Sequence, residues 1–278
     1  MRKLILAVTT ALVTGLSAPI ISASTPAEDL KAMQSFFADR FPGTELQRFG
    51  DGVYGINEDL RGQWLNIEEG FPPYEDAVAE GEEMWNTPFK NGKTYASCFG
   101  GTANVRTQYP YFDTNKGEVV TLEGTINKCR TDNGEKALKW KKGAIAKISG
   151  YIASESQGEV FDYKIPNEAA LAAYTNGKKH FYQKRGQLNL SCADCHQESA
   201  GKRVRGNTLS TALGQLTHFP VYRKKWQSLG TAHRRFGGCN KQVRAKPFKA
   251  QSDEYKNLEY FLNYINNGMK ANGPSTRG

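Results

Sequence analysis

The stretch Ser191-Cys192-Ala193-Asp194-Cys195-His196 sets two thiols three positions apart, with an imidazole directly after the second. Two thiols at this spacing reach the two vinyl groups of a haem, and the adjacent histidine reaches its iron as the proximal ligand. One turn of chain supplies all three bonds. Competing chemistries fit less well. Zinc asks for two further ligands at matched spacing, a redox pair leaves the histidine without a role, and a strained disulfide between such near neighbours explains less still. The reading is one covalently attached haem c, with Cys192 and Cys195 as thioether positions and His196 as an axial ligand.

The use of the other three cysteines depends on the compartment. Residues 1–23 pair Arg2 and Lys3 with an apolar run from Leu4 to Leu16 and small residues at Ser22 and Ala23. That pattern predicts an export leader cut near Ala23, and Thr9, Thr10, Thr14, Gly15, Ser17 and Pro19 interrupt it too soon for a membrane span. The expected location is the periplasm, with no membrane span in the mature chain. Losing Arg2 and Lys3 lowers the formal charge of +9 by two, so the mature chain stays basic. Such a field favours anions and acidic partners without choosing among them. Export argues against nucleic acid.

In an oxidising compartment Cys98 and Cys129, 31 residues apart, are expected to form a disulfide worth about 3–4 kcal/mol in the chain-entropy model. Cys239 is then left over, in the run His233-Arg234-Arg235-Phe236-Gly237-Gly238-Cys239-Asn240. An odd cysteine in a secreted protein signals an intermolecular bond or a working thiol. The sixth position on the iron also lacks an obvious owner, because Met269 stands at the far end of the last predicted helix. Cys239, His218 and His233 are the candidates. A thiolate would lower the haem potential, whereas a second histidine would give an ordinary low-spin carrier; His218 reads equally as a packing residue. Arg234 and Arg235 favour a thiolate nearby and offer paired donors to an oxyanion such as a sulfonate. Pairing of these arginines with a haem propionate or with a partner's acids is the alternative.

The elements that must position these groups read as helices. Apolar spacing predicts them over 27–41, 74–87, 135–152, 167–182 and 253–268, while 51–74 is turn-rich and reads as connecting structure. A weak internal repeat runs through the pattern. Gly81 precedes Trp85 and then Ser97-Cys98; Gly177 precedes Phe181 and then Ser191-Cys192. Each half continues to a further cysteine, Cys129 or Cys239, and ends in a helix, with the two glycines placed to let helices approach closely. The expected fold is therefore all-α, with two tandem cytochrome c-like lobes over 24–155 and 156–278. In the first lobe Gly101 and Thr102 stand where a second cysteine and a histidine would be, so that lobe is expected to have lost its haem.

The haem motif, the Arg234–Asn240 run and the degenerate lobe with Cys98 and Cys129 together resemble the SoxA family of cytochromes c over nearly all of the mature chain. The resemblance implies an L-cysteine S-thiosulfotransferase, which joins thiosulfate oxidatively to a cysteine of the carrier SoxYZ and passes two electrons to cytochrome c. It implies a small SoxX-like cytochrome as heterodimer partner. It makes Cys239, as thiolate or persulfide, the catalytic iron ligand, and Arg235 the substrate contact. Some members carry two haems; Gly101 and Thr102 place this chain with the single-haem type. The competing function is a periplasmic electron-transfer cytochrome with no substrate of its own, and a third is a haem-containing binding or sensor subunit.

Overall fold

The computed structural model describes residues 24–278, so the predicted leader over 1–23 lies outside the described residues. In chain order the elements are α1 (Pro26–Arg40), α2 (Val53–Ile56), α3 (Glu58–Glu69), α4 (Glu75–Asn86), α5 (Ala96–Phe99), β1 (Tyr111–Asp113), β2 (Glu118–Val120), α6 (Leu122–Asp132) and α7 (Ala144–Ser154). Then come α8 (Glu168–Tyr182), α9 (Cys192–His196), β3 (Arg203–Val204), β4 (Asn207–Thr208), β5 (Val221–Arg223), β6 (Ser228–Gly230), α10 (Ala232–Gln242), α11 (Asp253–Tyr264) and β7 (Ser275–Arg277). Helices dominate, but the all-α expectation is corrected: β1–β2, β3–β4 and β6–β5–β7 form three small sheets among the described residues. Their strands are too short to leave an alternating pattern.

The repeat is visible in the packing. At Gly81 on α4 an added Cβ would stand 2.2 Å from the Lys147 carbonyl oxygen of α7; at Gly177 on α8 it would stand 2.0 Å from the Asn257 carbonyl oxygen of α11. Only glycine permits either crossing. Each half then presents an antiparallel hairpin, β1–β2 or β5–β6, followed by a helix with threonine at its N-cap position: Thr121, whose side chain accepts from the Gly124 amide, for α6, and Thr231, whose side chain turns to the other half instead, for α10. Cys129 and Cys239 occupy the same place on these two helices.

The halves exchange contacts reciprocally. Thr121 Oγ1 donates to Gln251 Oε1 at 2.8 Å, and Thr231 Oγ1 donates to the Trp140 carbonyl at 3.1 Å. Between these contacts lie two buried polar pairs at equivalent positions. Ser149 Oγ donates to Glu123 Oε1 at 3.3 Å in one half, and His233 Nε2 faces Glu259 Oε2 at 3.0 Å in the other. Arg106, only 5% exposed, pins the seam by donating to the carbonyls of Tyr109, Leu216 and Phe219.

Two segments depart from their predicted form. Residues 135–143 are not helical because their backbone bonds sideways: Asn127 holds both the amide and the carbonyl of Leu138, at 2.6 and 3.0 Å, and Thr231 takes the carbonyls of Trp140 and Lys141. The helix therefore starts only at Ala144, after Gly143 with φ of 72°. The supposed connecting stretch contains α3, begun by Asn57, whose side chain accepts from the Leu60 amide at 3.0 Å; that cap outweighs the local glycines. The N-terminal segment, grouped by sequence with the first lobe, buries Met33, Phe37 and Phe49 in the core of the second. Asp29 ties it there, paired with Lys178 at 2.6 Å and accepting from Tyr174 at 2.9 Å.

At the seam, burial and the nearby charge of Glu259 push Glu123 up to about 7, against the smaller opposing pull of its own backbone amide, His233 and Arg106. The folded chain thus holds a proton that the unfolded chain gives up at the ordinary carboxylate value. Stability is fully present below that ordinary value and falls as pH rises towards 7. Glu123→Gln keeps the acceptor for Ser149 and removes the titration. Thermal denaturation should show a shallower loss of Tm between pH 5 and 7.5 in this variant than in the parent protein; an equal slope would mean that Glu123 does not titrate there.

Candidate functional site

The short helix α9 carries both motif thiols and His196 because its first turn is closed by its own sequence. Ser191 Oγ accepts from the Asp194 amide at 3.0 Å, and Asp194 Oδ2 accepts from the Ser191 amide at 2.7 Å. This reciprocal cap satisfies two otherwise orphaned donors, so the Asp within the motif is structural. The far end is held by the Ala212 amide, which donates to the His196 carbonyl at 2.7 Å.

His196 is oriented from behind. Its Nδ1 lies 3.0 Å from the Ser210 carbonyl oxygen; a ring proton on that nitrogen leaves the Nε2 lone pair for a metal. The Gln215 side-chain nitrogen Nε2 is 2.9 Å from the same Nδ1. Neither Ser210 nor Gln215 has a motif signal; both lie between β4 and β5.

On the other side stands Cys239 of α10. Burial by itself pushes this thiol up, but the Arg235 guanidinium, a hydrogen bond with His196 and the charge of Arg223 bring it down to about 7. The motif thiols behave oppositely: burial and the charge of Cys239 push Cys192 up to about 12 and raise Cys195. The structure thus gathers Cys192, Cys195, His196, Cys239 and Arg235 in one place. Among the three, Cys239 alone is tuned towards the thiolate, the form that binds metal and attacks sulfur.

The other histidines are engaged elsewhere. His233 Nδ1 accepts from the Gln251 amide at 3.0 Å while Nε2 faces Glu259. His218 Nδ1 bonds the Gly50 carbonyl at 3.2 Å, and its ring stacks on Phe219. His180 on α8 packs against Phe248 and Tyr255. Arg234 and Arg235 also part company: Arg234 stacks on Trp226 at 4.1 Å and donates to Ser228 Oγ at 3.1 Å.

These residues fit a c-type haem. Two thiols lie one turn apart, an imidazole is held between them and the loop at Ser210, and a third thiol, Cys239, lies beside that imidazole. Leu188, Leu190 and Val204, which flank the motif in sequence, are exposed aliphatics, suited to an apolar macrocycle. At the equivalent place in the first half, Cys98 and Cys129 are bonded to each other with their Cα atoms 6.0 Å apart. Trp85 fills the neighbouring interior, 5.6 Å from Tyr95 and 5.4 Å from Phe99.

The family model described as SoxA/TsdA, cytochrome c domain matches residues 80–161 and 176–271. The L-cysteine S-thiosulfotransferase subunit SoxA of Chlorobaculum tepidum is 53% identical over 249 residues, 90% of this chain and 87% of its own length. That of Allochromatium vinosum is 48% identical over 272 residues, 96% of each. Among solved structures, the crystal structure of SoxXA from P. pantotrophus matches with a TM-score of 0.72 at 32% identity, covering 78% of this chain and 84% of that one.

Asp194→Ala removes the carboxylate side of the α9 cap. Chemical denaturation should show a loss of about 1 kcal/mol, the usual cost of a capping group; no loss would mean that the cap does not hold the motif turn.

Proposed function

We propose, on the premise that this chain belongs to the SoxA family of cytochromes c, that it is an L-cysteine S-thiosulfotransferase joining thiosulfate to a cysteine of the SoxYZ carrier. The observation that carries this reading is the convergence of Cys239, His196 and Arg235: a thiol drawn towards the thiolate, facing an imidazole, beside a guanidinium. An electron carrier needs no such thiol.

The chain's residues divide the work. Cys192 and Cys195 would hold one haem c covalently, and His196 and Cys239 would ligate its iron. When bound, that group would supply an outlet for electrons. Arg235 binds the sulfonate end of thiosulfate through paired donors, which turns the outer sulfur towards the sulfur on Cys239. In the overall reaction the carrier thiol loses its proton and its sulfur bonds to the outer sulfur of thiosulfate. The two electrons released by that bond formation pass to cytochrome c, and the product is the thiosulfonate. Cys239 serves as thiolate or persulfide.

The wider reading follows. The first lobe, 24–155, binds no haem: it lacks a histidine at Thr102 and has its two cysteines joined. The second, 156–278, does the chemistry. No helix among the described residues is long and apolar enough to cross a membrane, which suits a periplasmic protein released from its leader near Ala23. A SoxX-like cytochrome is the expected heterodimer partner, as in the SoxXA neighbour.

Cys239→Ala should abolish thiosulfate-dependent turnover with SoxYZ while leaving the haem attached. Retained turnover would remove Cys239 from the chemistry, and an unchanged visible spectrum with retained redox function in the variant would mark a histidine-ligated electron carrier. Intact mass spectrometry of the periplasmic protein should give the mass of the chain from about residue 24 plus one haem, with the Cys98–Cys129 bond formed. Two haems, or free thiols at those positions, would contradict the single-haem reading.

A further inference from the structure

The disulfide of the first lobe has one end in solvent and the other in the core. Cys98 is exposed, on the four-residue helix α5, whose start carries no side-chain cap. Cys129 is 2% exposed, on the longer helix α6, and packs in the core of that lobe with Trp85 and Ile126. The S–S axis therefore runs from the interior outward. A nucleophile approaches a disulfide in line with the bond, behind the sulfur it attacks, so access decides which sulfur reacts. Behind Cys98 lies solvent; behind Cys129 lies packed side chain. Gly100 and Gly101 follow α5 with φ of 74° and 147°, and nothing stands within 4 Å of a Cβ added at either. The Cys98 end has open space beside it once the bond is broken.

A second observation concerns the buried end. Asn133, 8% exposed, sets its Nδ2 3.9 Å from Cys129 Sγ and 3.8 Å from Cys98 Sγ, and the same nitrogen donates to the Cys129 carbonyl at 2.8 Å. Asn91 Nδ2 donates to Asn133 Oδ1 at 2.8 Å, which turns the nitrogen end of the amide to the sulfurs. A sulfur within a disulfide is a weak acceptor, so this contact contributes little while the bond is intact. A thiolate at the same place carries charge and accepts strongly. Burial alone would penalise that thiolate; the Asn133 N–H offsets the penalty. The amide is particular to this lobe, because Val243 holds the corresponding place at the end of α10.

We propose that Cys98–Cys129 is an exchange site for small sulfur anions: a nucleophile such as sulfite attacks Cys98, and Cys129 departs as a thiolate held by Asn133. In that step the sulfur lone pair of sulfite forms a new S–S bond to Cys98, giving an S-sulfonate. The old S–S bond breaks, and its electron pair leaves on Cys129. The sulfite sulfur is oxidised, the cysteine sulfurs take up the electron pair, and no outside oxidant enters. Return of the Cys129 thiolate to Cys98 expels sulfite and restores the bond. The site lies in the first lobe and does not depend on the thiosulfotransferase reading.

The test incubates the haem-loaded protein with sulfite under native conditions, quenches with iodoacetamide and maps both cysteines by peptide mass spectrometry. The expected product carries a sulfonate on Cys98 and an alkylated thiol at Cys129. A sulfonate on Cys129 overturns the proposal. So does a bond that stays intact in the folded protein at a sulfite concentration that opens it in the denatured chain. Asn133→Ala should slow the exchange about 3- to 10-fold, as for loss of one hydrogen bond to the departing sulfur, with the haem spectrum unchanged. An equal or faster rate in a variant of unaltered Tm removes the leaving-group role and overturns the proposal. Where Asn133→Ala lowers the Tm, Asn91→Ala decides: it keeps Asn133 in place but releases its orientation, and it should slow the exchange in the same direction, whereas an unchanged rate overturns the proposal.

Discussion

Everything in this chain that bears on chemistry depends on a sulfur and an imidazole being held face to face by two different helices. A short helix of five residues cannot aim a histidine by itself. The capping pair Ser191 and Asp194 fixes the turn, and the Ser210 carbonyl meets the ring at Nδ1. The opposing sulfur belongs to a helix whose N-terminus is tied to the other lobe through Thr231. The distance between the two donors is therefore set by the whole seam between the lobes.

That seam explains why a lobe without a haem motif is kept. The first lobe supplies the loop that receives Thr231 and the buried carboxylate that meets Glu259. Its own cysteines, at the places of Cys192 and Cys239, close on each other. A duplicated unit has thus become a brace. The reciprocal threonine contacts tie one copy of the pattern to the other, and only the second copy carries the Cys-x-x-Cys-His motif.

What the sequence disclosed follows a physical rule. Groups bonded to near neighbours were legible: the Cys-x-x-Cys-His turn, the glycines at helix crossings, and the cysteine left over by pairing. Groups whose role arises from distant chain segments were not. Ser210 and Gln215 sit in an unremarkable loop and matter only through the ring of His196, and the charge of Arg223, on a three-residue strand, bears on Cys239 from a distant part of the chain. The run from 135 to 143 has helical apolar spacing, yet Asn127 and Thr231 compete successfully for its backbone. The amphipathic face of α1 was readable, but periodicity does not say which core receives it. Likewise, His218 and His233, of similar standing in sequence, were distinguished only by what their ring nitrogens touch.

The most direct test is the identity of the ligand opposite His196 in the ferric protein, read by electron paramagnetic resonance together with near-infrared magnetic circular dichroism. The account predicts a low-spin haem with one imidazole and one sulfur-anion ligand, a signature that disappears in Cys239→Ser. A pair of imidazoles, or a methionine thioether, opposite the metal with Cys239 remote from it would contradict the account and leave an ordinary electron carrier.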